Sequence, residues 1–299
     1  MGYKFLILSG LALVVSSCLR LDSNMFEGIK LQEYELDDFT GPEISVPSTY
    51  DIEANKIHLV DIQSKGDNEV IPTEIKAIYL GDMANIATDT VIMYCHGNYG
   101  HMDYYWTRAK LLANIGHKNR FGVLMVDYRG YGMSNGESTE ASLYIDVNSC
   151  LKWLKDRGLT DDRLIMYGFS MGTAPATELM AKPRDMQGSK LILESPFASV
   201  AVMIQDGSGL ALPSTFMSSL EVDNAEEIKA VEEDFLWIHG KDDAFLSITS
   251  HGELVYANHQ GDEGTSKFAE RVSGGEHSNV PTIMGLEEYI NRLETFITQ

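Results

Sequence analysis

The feature that most constrains the fold of this chain is one short stretch. In it, an apolar run leads into a serine that lies between two glycines. Leu164–Tyr167 are apolar or aromatic and lead directly into Gly168-Phe-Ser-Met-Gly172, and a run compatible with a helix follows to Met180. The pattern G-x-S-x-G between a strand and a helix is typical of a strained turn that projects the serine hydroxyl from the end of a sheet. A Cβ in place of either glycine would collide with neighbouring backbone in so tight a turn. The stretch therefore predicts a strand, a turn and a helix in direct succession, with Ser170 at the turn.

Apolar runs alternate with helical patterns along most of the chain. Continuous apolar runs indicate strands that are covered on both faces, as in a parallel sheet. Besides the strand before the serine, such strands are predicted at Thr90–Cys95 and Gly122–Val126. Further strands are predicted at Lys190–Leu193, Phe235–Ile238 and Lys267–Val272. Helices are predicted at Trp106–Ile115, at Ser138–Arg157 and after the last strand. This alternation predicts an α/β fold, in which a mostly parallel sheet carries helices on both faces.

Two further segments complete the predicted domain, which we assign to residues 44–299. Ile57–Ile62 and Glu74–Leu80 alternate apolar and polar residues around a polar turn, so they predict an antiparallel hairpin at the N-terminal edge of the sheet. Residues 195–230 are irregular and rich in Met and Ser. We expect this insertion to form a small cap over the carboxyl ends of the strands, where chemistry sits in such sheets.

The first residues have the pattern of a targeting signal. Lys4 is followed by the apolar run Phe5–Val15, which is too short to span a bilayer as a helix. The run ends in Val-Ser-Ser-Cys18, which resembles the lipobox of bacterial lipoproteins and implies cleavage of residues 1–17 and acylation of Cys18. An ordinary secretory signal is the alternative. Residues 18–43 are polar and acidic, and we interpret them as a tether, or in their later part as an edge strand. The expected location is the bacterial cell envelope, with the protein bound to the membrane by lipid and facing the periplasm or the exterior.

Charge and cysteine content exclude several classes of function. The chain has 44 acidic and 23 basic residues, a formal net charge of −21. Nucleic-acid binding needs a basic footprint, so we expect no nucleic-acid partner, and strongly anionic substrates are disfavoured. Cys95 and Cys150 lie in a predicted strand and helix, which indicates buried free thiols rather than a disulfide framework. His96, His101 and His117 show no tight metal-ligand spacing, so no metal and no other cofactor is predicted.

The residues after the serine supply the other groups that an activated hydroxyl needs. A serine hydroxyl is a poor nucleophile at neutral pH, and it needs a base that is itself oriented by a carboxylate. The pair Asp242-Asp243 follows a predicted strand, and His277 follows the last one. The order Ser, Asp, His and the strand-end positions fit this requirement. The backbone N–H of Met171, directly after the serine, is a candidate donor to a developing oxyanion.

Taken together, these motifs resemble those of the α/β-hydrolase superfamily over about residues 55–299. The motifs are His96-Gly-Asn98, Asp127-Tyr-Arg-Gly-Tyr-Gly132, Gly168-Phe-Ser-Met-Gly172, His239-Gly-Lys-Asp-Asp243 and Gly275-Glu-His277. The chain is most similar to single-domain lipase-like and serine-aminopeptidase-like members with an HGN loop. The resemblance implies Asp243, four residues after His239, as the acid, with Asp242 as the alternative. It also implies Asn98 as the second oxyanion donor, with Tyr99 as the alternative.

The sequence thus predicts a serine hydrolase of carboxylic esters or thioesters, in which Ser170 attacks, His277 is the base and Asp243 the orienting acid. A small-molecule acyl substrate and a membrane, through Cys18, are the expected partners. A small-peptide or amide hydrolase is the alternative enzyme, and a catalytically silent binding protein is the alternative from another class. His96, His239 and the Asp127–Gly132 turn are expected to be structural. In the insertion, Met203, Phe216 and Met217 are expected to pack in the core or the cap, or alternatively to line an acyl pocket.

Overall fold

A computed structural model describes residues 25–208 and 218–299. The strands within these residues are, in chain order, β1 (Glu27–Gly28), β2 (Ile57–Ser64), β3 (Thr73–Leu80), β4 (Val91–Cys95), β5 (Tyr99–Gly100), β6 (Gly122–Asp127), β7 (Leu164–Phe169), β8 (Lys190–Glu194), β9 (Asp234–Gly240) and β10 (Lys267–Val272). The α-helices are α1 (Met102–Leu112), α2 (Glu140–Lys155), α3 (Thr173–Ala181), α4 (Val200–Ser208), α5 (Asn224–Glu227), α6 (Gly252–Asn258), α7 (Val280–Met284) and α8 (Leu286–Thr298).

Eight of these strands form one sheet in the order β10-β9-β8-β7-β4-β6-β3-β2. The pairs β2–β3 and β3–β6 are antiparallel, and every other pair in this sheet is parallel. The predicted parallel sheet with an antiparallel edge hairpin is therefore confirmed. The strand that carries the serine, β7, lies between β4 and β8 near the middle of the sheet.

Helices cover both faces of the sheet. Alternate residues of a central strand therefore pack into two separate hydrophobic cores, one on each face. Met93 and Cys95 of β4 belong to a core that includes side chains of α2 and α3. Ile92 and Tyr94, the intervening residues, belong to a core that includes side chains of α1 and α8. All four are fully buried, and burying a large apolar side chain contributes about 1.5–3 kcal/mol. The continuous apolar runs of the sequence reflect this burial on two faces.

Some helices differ from the sequence-based expectation. Helix α1 begins at Met102, four residues before the predicted start, and α6 was not predicted. The insertion at 195–230, expected to be irregular, contains α4 and α5 in its described part. Phe216 and Met217 lie outside the described residues, so their expected place in the cap stays a prediction.

The segment before the sheet is packed against the domain. Residues 18–43 were expected to form a tether, or in their later part an edge strand, and the described part of that segment, from Met25, makes specific contacts with the core of the domain. Met25 is buried, and the backbone N–H groups of Glu35 and Leu36 donate to the Asp103 carboxylate at 2.9 Å each. At residue 43 the segment ends in a buried carboxylate that pairs with α1. This segment therefore belongs to the domain from at least Met25 onward.

The expected signal peptide, residues 1–17, and the expected lipidation site, Cys18, lie outside the described residues. Within residues 25–208 and 218–299, no helix is long and apolar enough to cross a membrane. Cys95 and Cys150 are buried free thiols, as expected.

Candidate active site

The turn at Ser170 has the strained geometry that the sequence predicts. Ser170 adopts a φ of +51°, in the left-handed region that is costly for a residue with a side chain. A Cβ at Gly168 would lie 2.6 Å from the carbonyl oxygen of Gly172, and a Cβ at Gly172 would lie 2.0 Å from that of Cys95. Both positions therefore require glycine. A single 3₁₀ turn, Ser170–Gly172, then runs directly into α3.

The structure brings together the three side chains expected to form a triad. His277 follows β10 in a loop, and its Nε2 lies 2.9 Å from Ser170 Oγ. Its Nδ1 lies 2.8 Å from Oδ2 of Asp243. A carboxylate can only accept, so Nδ1 carries the proton and donates it to Asp243. In the neutral imidazole Nε2 is then an acceptor, which suits it to receive the proton of the serine hydroxyl.

Of the two adjacent aspartates, Asp243 is the one that meets His277. Its Oδ1 accepts from the backbone N–H groups of Phe245 at 2.9 Å and Leu246 at 2.8 Å, and the residue is 5% exposed. Burial alone would raise the pKa of Asp243, but hydrogen bonds from His239 and His277 outweigh burial and hold it well below its usual range. Asp243 is therefore a charged acceptor at neutral pH, whereas the Asp242 side chain is exposed.

His239 supports Asp243 in a way that the sequence did not reveal. Its Nδ1 accepts from the indole N–H of Trp237 at 3.3 Å, so the ring proton is on Nε2. Nε2 then lies 2.9 Å from the carbonyl oxygen of Leu246 and 3.2 Å from Oδ2 of Asp243. His239 is fully buried and neutral in this arrangement, and it fixes the loop that presents the carboxylate.

The other residues expected to be structural hold loops at the same end of the sheet. The Nε2 atom of His96 lies 3.1 Å from Oδ1 of Asp127, whose Oδ2 accepts from Tyr34 at 2.6 Å. The His96 ring also stacks on Tyr105 with centroids 4.7 Å apart. Arg129 forms a buried ion pair with Asp146, whose carboxylate also accepts the Arg129 N–H at 2.8 Å. These contacts fix the turn after β6.

Two hydrogen bonds anchor the backbone of the loop that carries His277. Ser195 Oγ donates to the carbonyl oxygen of His277 at 3.0 Å. Arg108 Nη2 donates to the carbonyl oxygen of Ser278, also at 3.0 Å. Ser195 itself has a φ of +47°, so the turn after β8 is held in a strained conformation beside the site. Both hydrogen bonds lie on the C-terminal side of the His277 Cα, so they fix the backbone directly after the residue that carries the imidazole.

Arg108 is the centre of a buried charge network under this loop. It makes two hydrogen bonds to Glu43, at 3.0 and 2.7 Å, and its Nη1 lies 2.7 Å from Oε1 of Glu194. Oε2 of Glu194 accepts from the hydroxyls of Tyr167 and Tyr289. The side chains of Arg108, Glu43 and Glu194 are completely buried. Burial raises the pKa of Glu43, while the guanidinium of Arg108 acts in the opposite direction.

The loop after β4 presents the candidate oxyanion donor. The Asn98 carbonyl oxygen accepts from Glu27 N–H at 3.1 Å and from the Tyr131 hydroxyl at 2.8 Å. The N–H of Tyr99, the alternative donor, is engaged with the Tyr105 hydroxyl at 3.2 Å. The peptide between Asn98 and Tyr99 is thus fixed from both sides. The engaged N–H of Tyr99 counts against this alternative, and the role of Asn98 as partner of Met171 stays a prediction.

A cavity of about 410 Å³ opens beside these residues. Its lining includes Asn98, the candidate oxyanion donor. It also includes Phe245, whose ring centroid lies 5.0 Å from that of His277. Most of its described lining is apolar and comes from the first residues of the segment before β2, from α4, and from the end of the insertion: Met25, Glu27, Asn98, Val200, Met203, Ile204, Gly207, Ser218, Leu220 and Phe245. Met203 packs against the main core, as expected, and it also lines this cavity. In the described part of the chain, no group of three or more His, Cys, Asp or Glu side chains is arranged to hold a metal ion.

Comparison with known proteins identifies the fold. A family model described as the alpha/beta hydrolase fold matches residues 90–207. Alpha/beta hydrolase domain-containing protein 17B of Homo sapiens is 28% identical over 216 residues, which cover 70% of this chain and 66% of that protein. Alpha/beta hydrolase domain-containing protein aho-3 of Caenorhabditis elegans is 30% identical over 212 residues, which cover 69% of this chain and 57% of that protein. The chain thus spans at most 66% of the length of these two relatives.

A solved structure agrees with this assignment. The Pyrococcus furiosus esterase Pf2001 matches with a TM-score of 0.63 at 17% identity, over 91% of this chain and 97% of that one. The chain therefore has the α/β-hydrolase fold.

Proposed function

We propose that the protein is a serine hydrolase that cleaves carboxylic esters or thioesters through an acyl-enzyme on Ser170. The observation that carries the proposal is the position of His277, which lies 2.9 Å from Ser170 Oγ on one side and 2.8 Å from Asp243 on the other. This is the geometry in which an imidazole can take the serine proton while a carboxylate stabilises the resulting charge. The strained backbone at Ser170 and the depressed pKa of Asp243 support the same assignment.

In the proposed reaction, Ser170 Oγ attacks the substrate carbonyl carbon and His277 Nε2 takes its proton. The negative charge moves to the former carbonyl oxygen, which accepts from the N–H groups of Met171 and Asn98. Collapse of this intermediate breaks the bond to the alcohol or thiol, which leaves with the proton from His277. Water, deprotonated by the same nitrogen, then attacks the acyl group and releases the carboxylic acid and free Ser170. No cofactor enters either half of this cycle.

The shape and polarity of the cavity support an acyl substrate. Apolar side chains dominate its lining, and Met203 with its neighbour Ile204 offers an adaptable apolar surface from α4. An acyl chain in this cavity would leave the carbonyl near Asn98, at the candidate oxyanion site. The esterase neighbour supports the proposal through its fold alone, since it is 17% identical.

The test is turnover by the wild type of p-nitrophenyl esters, acyl thioesters and aminoacyl p-nitroanilides, with Ser170→Ala as the matched control. We expect ester and thioester hydrolysis in the wild type and a loss of kcat of on the order of 10⁴ or more in the variant, with unchanged folding by circular dichroism. Faster cleavage of the anilides would replace the proposal with the amide hydrolase. Absence of turnover on all three classes would favour the silent binding protein.

We further propose that Cys18 carries a lipid anchor and holds the enzyme at a membrane of the bacterial cell envelope. The support is the lipobox-like sequence that ends at Cys18 and the apolar run before it. A small-molecule acyl compound is the proposed substrate.

A further inference from the structure

One wall of the cavity is formed by the segment before the sheet, which lies far in sequence from the hydrolase motifs. Met25 is 7% exposed, belongs to the main core, and lines the cavity together with Met203 and Ile204 of α4. The family model matches residues 90–207 and does not include this segment. One side of the pocket is therefore built from a part of the chain that the family match does not cover.

The backbone of this wall is clamped between two loops at the carboxyl end of the sheet. Glu27 N–H donates to Asn98 at 3.1 Å, and Ile29 N–H donates to Gly100 at 2.9 Å, as β1 pairs in parallel with β5. On the other side, Gly132 N–H donates to the Ile29 carbonyl oxygen at 2.9 Å. These hydrogen bonds hold the residues after Met25 in one register against the loop of the candidate oxyanion donor.

Close packing against the ring of Tyr131 also fixes the lateral position of β1. A Cβ at Gly28 would lie 2.8 Å from the ring of Tyr131, so the strand approaches that ring as closely as glycine allows. The Tyr131 hydroxyl in turn donates to the Asn98 carbonyl oxygen at 2.8 Å. The distance between the wall at Met25 and the reacting end of the pocket is therefore set by rigid contacts rather than by a mobile loop.

We propose that Met25 is a specificity-determining residue that sets the length of acyl chain the pocket accepts. The inference rests on the proposed function, and it names the substrate class as neutral acyl groups of medium length. A cavity of about 410 Å³ with a mainly apolar lining has room for an acyl chain of medium length. Met25 bounds this space with a flexible apolar side chain, so a change of its size changes the room for the chain.

The test compares p-nitrophenyl esters from acetate to dodecanoate on wild type, Met25→Trp and Met25→Ala. We expect Met25→Trp to lower the ratio of kcat/KM for decanoate to kcat/KM for acetate by 10-fold or more, because a hydrophobic pocket discriminates by about 10–200-fold per methylene-sized change. Met25→Ala should move the preferred chain to a greater length. Since both substrates are measured on one preparation, the ratio does not depend on the fraction of protein that is folded.

Ile29→Ala is the matched control, because Ile29 lies in the same clamped segment, is 43% exposed and is outside the described lining of the cavity. The ratio of kcat/KM for decanoate to kcat/KM for acetate in Ile29→Ala should equal that of the wild type. Ratios within 2-fold of wild type for both Met25 variants, or an equal change in Ile29→Ala, would overturn the assignment of Met25.

A second measurement separates this inference from the proposed function. Binding of acetamide, octanamide and dodecanamide to Ser170→Ala, followed by thermal shift, requires no turnover. Stronger stabilisation by octanamide that is lost in Ser170→Ala/Met25→Trp would support the pocket even if no ester were hydrolysed. If the wild type is active but neither amide binding nor ester preference changes in the Met25 variants, the inference is rejected and the proposed function stands.

Discussion

Arg108 donates a hydrogen bond from Nη2 to the carbonyl oxygen of Ser278, at 3.0 Å, one residue beyond His277. The arginine is completely buried and is held by Glu43 from the segment before the sheet and by Glu194 at the end of β8. Three distant parts of the chain thus meet at one guanidinium, directly under the loop that carries the imidazole. The position of His277 depends on this buried charge network.

Removal of Arg108 should cost stability and impair catalysis. Arg108→Leu leaves Glu43 and Glu194 as buried carboxylates without their cation, and breaking a buried ion pair in this way costs about 3–5 kcal/mol. Urea unfolding measures this loss. Lys152→Ala removes an exposed ion pair with Asp156 and is the control, with an unfolding midpoint expected to match wild type. Stability equal to wild type in Arg108→Leu would contradict the account of the network.

The same network should affect kcat more than KM. Arg108→Lys keeps the charge but loses the planar fork that reaches Glu43 and the Ser278 carbonyl together. We expect a lower kcat at a temperature where the variant is fully folded, with little change of KM, because the loop that orients His277 is loosened while the cavity is intact. An unchanged kcat in a fully folded Arg108→Lys variant would show that this hydrogen bond does not position the imidazole.

The two adjacent aspartates should respond oppositely to the same substitution. Asp243→Asn removes the charge that lies 2.8 Å from His277 Nδ1, and it should lower kcat on the order of 10⁴-fold because the imidazolium is no longer stabilised. Asp242→Asn alters an exposed side chain and should stay within about 3-fold of wild type. Steady-state kinetics on one ester measures both, and a milder effect at Asp243 than at Asp242 would move the acid to the neighbouring residue.

A single protonation should control the acid side of the pH profile. Since protonated imidazole cannot accept the serine proton, kcat/KM should fall on the acid side of the profile, and a plot of log kcat/KM against pH should have a slope of one there. The hydrogen bonds to Asp243 outweigh its burial and hold its pKa well below the usual value, so this carboxylate stays charged throughout. Its contribution to stability is therefore present above a pH of about 4, the unfolded pKa of Asp, and is lost only as pH falls further.

The check is a kcat/KM profile from pH 4 to 9 with a neutral ester, with circular dichroism at each pH and with and without EDTA. EDTA should have no effect on turnover. A profile that stays flat to pH 4 in folded protein, or activity that EDTA removes and zinc restores, would remove His277 from the proposed role.

The lipid anchor gives a prediction about localisation. In a bacterial host that processes lipoproteins, the wild type should sediment with membranes and incorporate labelled palmitate, and Cys18→Ser should do neither. Cys150→Ser changes a buried thiol and is the control that should keep the label. A mature N-terminus other than Cys18 on unlabelled, soluble wild-type protein would favour an ordinary secretory signal.

The features that could be predicted from the sequence are those set by local constraints. Gly168 and Gly172 were assigned to a tight turn because only glycine fits where a Cβ would lie within 2.6 Å of backbone oxygen. The runs that became β4 and β6 were apolar without alternation because helices cover both faces of the sheet. Motif order and strand-end placement predicted that one of Asp242 and Asp243 would approach His277, because they bring distant residues to one edge. The choice of Asp243 came from the family resemblance.

The features that could not be predicted depend on contacts between residues far apart in the chain. Nothing near Glu43 in sequence indicates a partner such as Arg108, 65 residues away. The strained Ser195 lacks the glycines that mark the turn at Ser170, and its hydrogen bond to His277 spans 82 residues. The sequence of the segment after Met25 resembles a polar linker. The segment is ordered by hydrogen bonds to loops of the domain, and its hydrophobic pattern gives no sign of them.

The central claim, that Ser170 is the nucleophile, is tested most directly by stoichiometric labelling with a fluorophosphonate. Remaining ester turnover is measured on the same samples as intact mass, and the labelled peptide is identified by tandem mass spectrometry. The account predicts one phosphonyl group per chain on Ser170, turnover that falls in proportion to labelling, and no label in Ser170→Ala. Active enzyme that takes up no label, or full turnover after complete modification of Ser170, would contradict it.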